Sequence, residues 1–216
     1  KKSKVPDDFV YVYDFETPNS AKALRLQPGE GKILKRKMDN FIKELKREIP
    51  LVLQSEDYEN TVSAYLSSAN ERKAKLFSDL EKLAKSMDFS LKSTRVGIET
   101  IPMVNGKVLT EKEYAKLSDK EKEQIEARRS KLEPEVLDFA RKIRNIEKES
   151  REYVEDFRTE IVLKVVNYLI EPLLDEYNAK ACNNVLEFLD QVKKDIIENL
   201  ENFLEEESPH REEMLP

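Results

Sequence analysis

The sequence predicts a mainly α-helical protein: a long antiparallel helical hairpin, or coiled-coil-like bundle, with a small β element and one short strand. Three observations predict this fold class. Charged residues make up 38% of the 216 residues and glycine occurs only four times, a composition typical of long helices. Apolar residues recur at three- and four-residue spacing over most of the chain. The short exceptions are rich in aromatic and β-branched residues, which favour strands.

The first element is a strand predicted at residues 9–15, FVYVYDF, between turn residues on both sides. A run this apolar indicates a buried strand, and its aromatic side chains indicate core. Nothing close in sequence supplies neighbours for its edges, so we expect its sheet partners outside the chain. A short extended piece, Ala23–Leu26, then leads through a Gly-containing turn to a helix at 31–49, which Pro50 should end.

The hairpin is predicted from two long periodic stretches. The first runs from Ser55 to Met87, about 45 Å at 1.5 Å per residue. The second begins at Leu132 with alternating four- and three-residue spacing, is kinked on entry by Pro134 and continues to Pro172. The predicted seam places Phe139, Ile143 and Ile146 against Leu76, Leu80 and Leu83. A final amphipathic helix carries Val185 to Phe203, and residues 207–216 should form a flexible tail.

Between the two long helices the period changes, and a β-hairpin or meander is predicted at about 89–109. Asn105-Gly106 is the strongest local signal, because this pair suits a two-residue hairpin turn. Two capping boxes follow, Thr110 with Glu113 and Ser118 with Glu121. They predict a short helix, a turn and then a longer helix.

Catalytic chemistry finds little support in the sequence. No Gly-rich phosphate loop occurs, and residues 27–31, QPGEG, are interpreted as a structural turn. The only histidine, His210, lies in the C-terminal tail, so no Ser-His-Asp arrangement can form. Serines near lysines are interpreted as residues of a solvated helix face or of a turn. Carboxylate pairs such as Glu147 with Glu149, or Glu198 with Glu201, are interpreted as helix-surface charges with i,i+4 lysine partners. The serines concerned are Ser67, Ser68, Ser78, Ser86, Ser90 and Ser93.

Charge and cysteine content limit the partners and the compartment. The net charge of −6 comes from interspersed acidic and basic residues, which does not favour nucleic acid. Cys182 has no second cysteine to pair with, and the N-terminus lacks the apolar stretch of a signal peptide. No run approaches the ~18 to 20 apolar residues of a membrane span. We therefore expect a soluble, cytoplasmic protein.

Several stretches, in order, resemble the Lon-like proteases whose AAA+ region carries a large helical insertion. The similarity spans nearly the whole chain, although no single piece is diagnostic. The stretches that carry it are 6–15 (PDDFVYVYDF), Pro18, 23–26 (ALRL), Pro28-Gly29, Gly31, 49–50 (IP), 56–58 (EDY), Phe89, Thr94, Gly97, Pro102, 105–107 (NGK), 110–114 (TEKEY), 117–118 (LS), 192–199 (VKKDIIEN) and Phe203.

This resemblance implies that residues 1–50 are a fragment of an AAA+ core and residues 51–206 a helical insertion domain. The phosphate loop and the protease domain with its Ser-Lys dyad would lie outside the chain, so it transfers no catalytic, cofactor-binding or metal-binding residue. The parent would be a cytoplasmic, hexameric ring that degrades unfolded or damaged proteins, with ATP and Mg²⁺ as possible cofactors of the parent only. Its own AAA+ core and neighbouring subunits would be further partners.

Two function classes therefore stay open: a recognition, gating or subunit-contact module of a protease, and a stand-alone coiled-coil structural or tethering protein. The orphan strand favours the first, because a free-standing coiled coil has no use for it. Within the first class, the apolar β element far from any large core is a candidate contact for unfolded clients. Its candidate residues are Leu91, Val96, Ile98, Ile101, Met103 and Val108. The competing interpretation is that these side chains simply pack on each other and on the hairpin end.

Overall fold

The computed structural model of the protein describes residues 5–17, 19–94 and 97–204, which are mainly helical. The chain divides into two compact units. We call them the terminal unit, Lys1–Glu59 with Glu155–Pro216, and the central unit, Asn60–Val154. This division does not follow the boundary at residue 50 expected from the resemblance, because residues after 155 share one core with the N-terminal elements. The predicted tail at 207–216 lies outside the described residues.

The terminal unit begins with a two-stranded sheet of β1 (Asp8–Tyr13) and β2 (Ala21–Leu26). The strands are antiparallel, with Val10 opposite Leu24 and Tyr11 opposite Ala23. The prediction that nothing close in sequence pairs with the first strand is therefore wrong. The short extended piece that follows it supplies the partner, and β1 ends at Tyr13 rather than at residue 15.

The prediction that the first strand is buried is also wrong for half of its side chains. Successive side chains of a strand point to opposite faces. Val10 and Val12 pack on the core of the unit, whereas Phe9, Tyr11 and Tyr13 are 61%, 74% and 54% exposed. The apolar run has two apolar faces, and only one of them is covered within the described residues.

Helix α1 (Glu30–Leu53) follows the sheet. It passes through Pro50, which the sequence predicts as its end. Proline removes one backbone hydrogen bond, but Ile49 is fully buried and Leu53 packs on the same core. This burial holds the last turn in helical form, and Gln54 N–H donates to the Pro50 carbonyl at 3.0 Å.

The rest of the terminal unit comes from the end of α4 (Asp119–Ala179), from α5 (Asn183–Glu198) and from a short 3₁₀ turn (Leu200–Phe203). Helix α4 is helical through both Pro134 and Pro172, so the predicted end at Pro172 is wrong. The core of this unit joins β2, α1, α4 and α5. Its most buried members are Leu24, Leu34, Leu45, Ile49, Val162, Val166, Ile170, Tyr177, Val185, Leu189 and Ile196.

The central unit contains the predicted β element. Strands β3 (Phe89–Thr94), β4 (Gly97–Val104) and β5 (Lys107–Val108) form an antiparallel sheet in that order, which we call the connector sheet. Asn105 and Gly106 form the β4–β5 turn with φ of 51° and 76°. Positive φ at both positions is the requirement of a type I′ turn. The hairpin predicted from Asn-Gly is thus confirmed.

Both predicted capping boxes are present. Glu113 N–H donates to Thr110 Oγ1 at 3.3 Å, and Thr110 N–H donates back to Glu113 Oε2 at 2.8 Å. Ser118 and Glu121 repeat the arrangement at 3.4 and 2.8 Å. They begin α3 (Glu111–Ala115) and α4, which confirms the predicted order of short helix, turn and longer helix.

Helix α2 (Glu56–Ser86) runs antiparallel to α4 within the central unit. Tyr65 stacks on Tyr153 with ring centroids 3.7 Å apart, and Phe77 meets Phe139 edge to face at 6.1 Å. Of the predicted seam, Leu80, Leu83 and Phe139 belong to one core cluster. Ile143 is half-buried and lies outside this cluster. Ser150, the predicted interruption, is buried and its hydroxyl donates to the Ile146 carbonyl at 2.7 Å.

Candidate interaction surface

The side chains considered for catalysis form no catalytic arrangement among the described residues. Of the six serines near lysines, only Ser86 makes a side-chain hydrogen bond with another described residue, and its acceptor is the Leu83 carbonyl at 2.7 Å. Such a bond to the preceding turn is ordinary for a helical serine. Across the described residues, no group of three or more His, Cys, Asp or Glu side chains is arranged to hold a metal ion. The candidate His210 lies outside the described residues.

Among the described residues, Glu147, Glu149 and Glu201 form ion pairs, but with partners other than those predicted. Glu147 lies 4.0 Å from Lys73 and Glu149 lies 3.4 Å from Arg72. Glu201 accepts from Arg158 at 2.7 Å. These contacts cross between elements instead of running along one helix, because antiparallel pairing brings cations of the facing element within reach. They are partly exposed ion pairs, which stabilise a fold only slightly.

The backbone of the turn at residues 27–31 binds a side chain of strand β1. The backbone N–H groups of Gly29 and Gly31 both donate to Asp8 Oδ2, at 3.0 and 2.9 Å. Asp8 thus occupies the start of α1, where free amides and the helix dipole favour a negative charge. A Cβ added at Gly31 would lie 3.0 Å from Val10 Cγ2 and 3.1 Å from Asp8 Oδ2, so β1 approaches α1 closely there and a side chain would force these neighbours to shift.

A charged cluster in the terminal unit was not predicted from the sequence. Lys180 Nζ donates to Glu176 at 2.8 Å and to Glu30 at 2.7 Å, and Lys37 also pairs with Glu176. Hydrogen bonds from Lys180 and Lys37 hold the pKa of Glu176 below its ordinary value. Both ammonium groups lie near the ring of buried Tyr177, whose pKa is raised chiefly by burial. The cluster ties α1 to α4.

The candidate client-contact residues fall on two opposite faces of the connector sheet. In the register of β3 and β4, Phe89 lies opposite Pro102, Leu91 opposite Thr100 and Ser93 opposite Ile98. Because directly opposite side chains of an antiparallel pair lie on the same face, these six side chains share one face of the sheet. Phe89 is fully buried, and Leu91 and Ile98 pack on the same core cluster. We call this the inner face. Leu91 and Ile98 are therefore packing residues of the central unit, in agreement with the competing interpretation.

Ile101, Met103 and Val108 occupy the opposite, outer face. Met103 lies directly opposite Val108 on β5. Ile101 and Met103 are half-buried but do not pack on the core cluster, and Val108 is 47% exposed. The structure thus brings three of the six candidate residues together on an accessible face. Val96 lies outside the described residues.

A second apolar face, on the β1–β2 sheet, was missed by the interpretation of the sequence. Phe9, Tyr11 and Tyr13 line it, and the register places Ala21 and Ala23 beside them, both exposed. The signal was present: aromatic residues alternate with Val10 and Val12, and two-residue periodicity indicates two distinct faces.

Residues 8–41 match a family model described as the Lon-like LonC helical domain. The match covers β1, β2 and the first half of α1, which include Asp8, the 27–31 turn and the aromatic face. It supports the resemblance to a Lon-like protease helical domain. No curated protein matches the chain. Within the described residues, no helix is long and apolar enough to cross a membrane.

Proposed function

We propose that the chain is a non-catalytic helical region of a Lon-type protease and that it contacts polypeptide clients through the outer face of the connector sheet. The observation that carries the proposal is the match of residues 8–41 to the Lon-like LonC helical domain. The outer face supports the client role. Ile101, Met103 and Val108 are apolar, lie together on this face and do not pack on the core cluster of the central unit. The flexible side chain of methionine can adapt its shape to varied partners.

The exposed aromatic face of the β1–β2 sheet supports the proposal that another protein region packs against this chain. Contiguous exposed apolar surface marks interaction sites. In the proposed parent, β1 and β2 belong to the edge of an AAA+ core, and the rest of that core covers Phe9, Tyr11 and Tyr13. ATP with Mg²⁺, the ring of subunits and the cytoplasmic location belong to this proposal for the parent. A stand-alone tethering protein gives this face no role.

The client role is tested with point variants of the outer face. Replacing the whole 96–108 stretch by a Gly-Ser turn would also remove Ile98 and Pro102 from the packed inner face. A loss of binding could then result from unfolding of the central unit instead of from loss of the contact surface. The double variant Ile101→Ser with Met103→Ser avoids this. Leu137→Ser is the matched control, because Leu137 is an exposed apolar residue of α4, 61% accessible.

Two measurements are informative. Binding of a labelled, chemically unfolded protein to the chain should weaken at least about fivefold in the double variant, a change of about 1 kcal/mol, and should not change in the control. In the parent protease, degradation of the unfolded protein should fall while cleavage of a short peptide stays constant. Equal loss of both activities, or loss of neither, would show that the outer face does not recognise clients.

A further inference from the structure

The edge of the connector sheet next to the outer face is open. Val104 and Lys107 flank the two-residue turn and face each other across it. In such a hairpin the flanking residues hydrogen-bond to each other, so the N–H and C=O groups of Val104 point toward β5. Because N–H and C=O groups alternate in direction along a strand, those of Pro102, Thr100 and Ile98 point to the same side. The Pro102 carbonyl accepts from Leu109 N–H at 2.9 Å. The outward groups of Thr100 and Ile98 have no hydrogen-bond partner among the described residues.

A small cavity adjoins this edge. It has a volume of about 230 Å³ and is lined by parts of β4, of Leu109–Glu111 and of the helices that follow. Ile101, Pro102, Leu109 and Tyr114 supply apolar surface. The volume is below the ~300–1,000 Å³ of small-molecule sites, so it suits a single side chain better than a metabolite.

The charged residues around the cavity indicate which kind of peptide segment would bind there. Glu99 and Glu111 line it, and neither has an ion-pair partner among the described residues, although Lys92 lies opposite Glu99 in the strand register. The cation in the lining, Arg129, is already paired with Glu126 at 2.6 Å and lies over the Phe89 ring. Two unpaired carboxylates beside an apolar cavity favour a partner with a positive charge next to an apolar side chain.

We propose that the open edge of β4 binds an extended client segment by strand addition, with one apolar client side chain in the cavity and a flanking lysine or arginine beside Glu99 and Glu111. Strand addition derives affinity from main-chain hydrogen bonds and specificity from pockets for alternate side chains. This inference rests on the proposed client role. It adds that the preferred clients are extended segments in which apolar and basic residues alternate.

The probe is a fluorescein-labelled, eight-residue peptide of alternating leucine and lysine, with binding to the 216-residue chain followed by anisotropy. One comparison peptide has glutamate at every lysine position, and a second has N-methylated backbone amides at alternate positions. We expect both to bind at least about tenfold more weakly than the lysine peptide. Equal binding of the lysine and glutamate peptides, or of the methylated peptide, would overturn the proposal.

Variants of the chain locate the site. Thr100→Pro removes an outward N–H without removing a β3–β4 hydrogen bond, which is the position where strands tolerate proline, and should weaken lysine-peptide binding at least about fivefold. The double variant Glu99→Lys with Glu111→Lys should reverse the peptide preference, so that the glutamate peptide binds more tightly than the lysine peptide. If Thr100→Pro lowers the thermal midpoint of the chain, this charge variant provides the test instead. Glu71→Lys with Glu152→Lys makes the same charge change on exposed helix positions away from the cavity, and should leave binding unchanged.

The outcome separates this inference from the broader client role. If the outer-face variant Ile101→Ser with Met103→Ser weakens binding of unfolded protein while the edge and charge variants bind it normally, strand addition is wrong and the client role stands. If none of these variants changes binding, both are wrong.

Discussion

In the β1–β2 sheet the large aromatic side chains lie on the open face, whereas in the connector sheet the large aromatic side chain lies on the covered face. Phe9, Tyr11 and Tyr13 are more than half exposed, and Phe89 is fully buried. The sequence predicts that the whole β1 run is buried, so it misplaces Phe9, Tyr11 and Tyr13, and it makes no prediction about the exposure of Phe89. Apolar composition shows that a strand has partners; it does not show whether those partners are in the same chain.

The largest effect that this comparison predicts is at Phe89. Phe89→Ala removes a fully buried ring from the core of the central unit and should lower the free energy of unfolding by about 3 to 5 kcal/mol. Chemical denaturation followed by circular dichroism measures it. A loss below about 1 kcal/mol, the typical value for point variants in general, would mean that the inner face is not packed as described.

A smaller effect is expected at Asp8, where the β1–β2 sheet is joined to α1. Asp8→Ala removes the carboxylate that accepts from Gly29 and Gly31 N–H. Loss of a helix-start acceptor costs about 0.5 to 2 kcal/mol. The same denaturation assay checks this value, and Asp7→Ala is the control because its carboxylate pairs with Arg25 instead of the helix start. Equal effects of the two variants would contradict the role of Asp8.

The capping boxes after the connector sheet predict a pH dependence. Hydrogen bonds from the Thr110 hydroxyl and backbone hold the pKa of Glu113 below its ordinary value of 4.5, and Ser118 does the same for Glu121. A lowered folded-state pKa stabilises the fold above the unfolded-state value, and this contribution disappears as the pH falls through the folded-state value. Glu113→Gln with Glu121→Gln should therefore show a shallower fall of the thermal midpoint below about pH 4.5. Parallel curves for variant and wild type would exclude the contribution.

The smallest effect is expected at Tyr11, on the open face of the β1–β2 sheet. Tyr11→Ser changes a side chain that is 74% exposed, so the free energy of unfolding of the chain should change by no more than about 0.5 kcal/mol. Incorporation into the proposed parent should make the same variant strongly destabilising, because the AAA+ core would then cover this face. A large loss of stability in the chain alone would show that Tyr11 already packs within it.

Sequence patterns were sufficient where local chemistry decides the structure. Both capping boxes, the Asn105-Gly106 turn and the facing stretches of α2 and α4 follow from residue types at short spacing. Pro50 and Pro172 were misjudged because burial of neighbours such as Ile49 outweighs the local cost of proline. The pairing of Lys37 with Glu176 joins residues 139 positions apart, and no periodicity encodes such a contact. For the candidate surface, the sequence named individual residues of the 89–109 segment but not which face of the sheet each one occupies.

Hydrogen exchange of the backbone amides shows which of the two sheets contacts clients, because it measures both sheets in one experiment. The chain is measured with and without a saturating amount of chemically unfolded protein. We expect slower exchange at Ile98 and Thr100 of β4, whose amides point to the open edge, and no change in β1 and β2. Protection confined to residues 8–26 would contradict the assignment of the connector sheet as the client-contacting surface, and unchanged exchange at Ile98 and Thr100 would contradict strand addition.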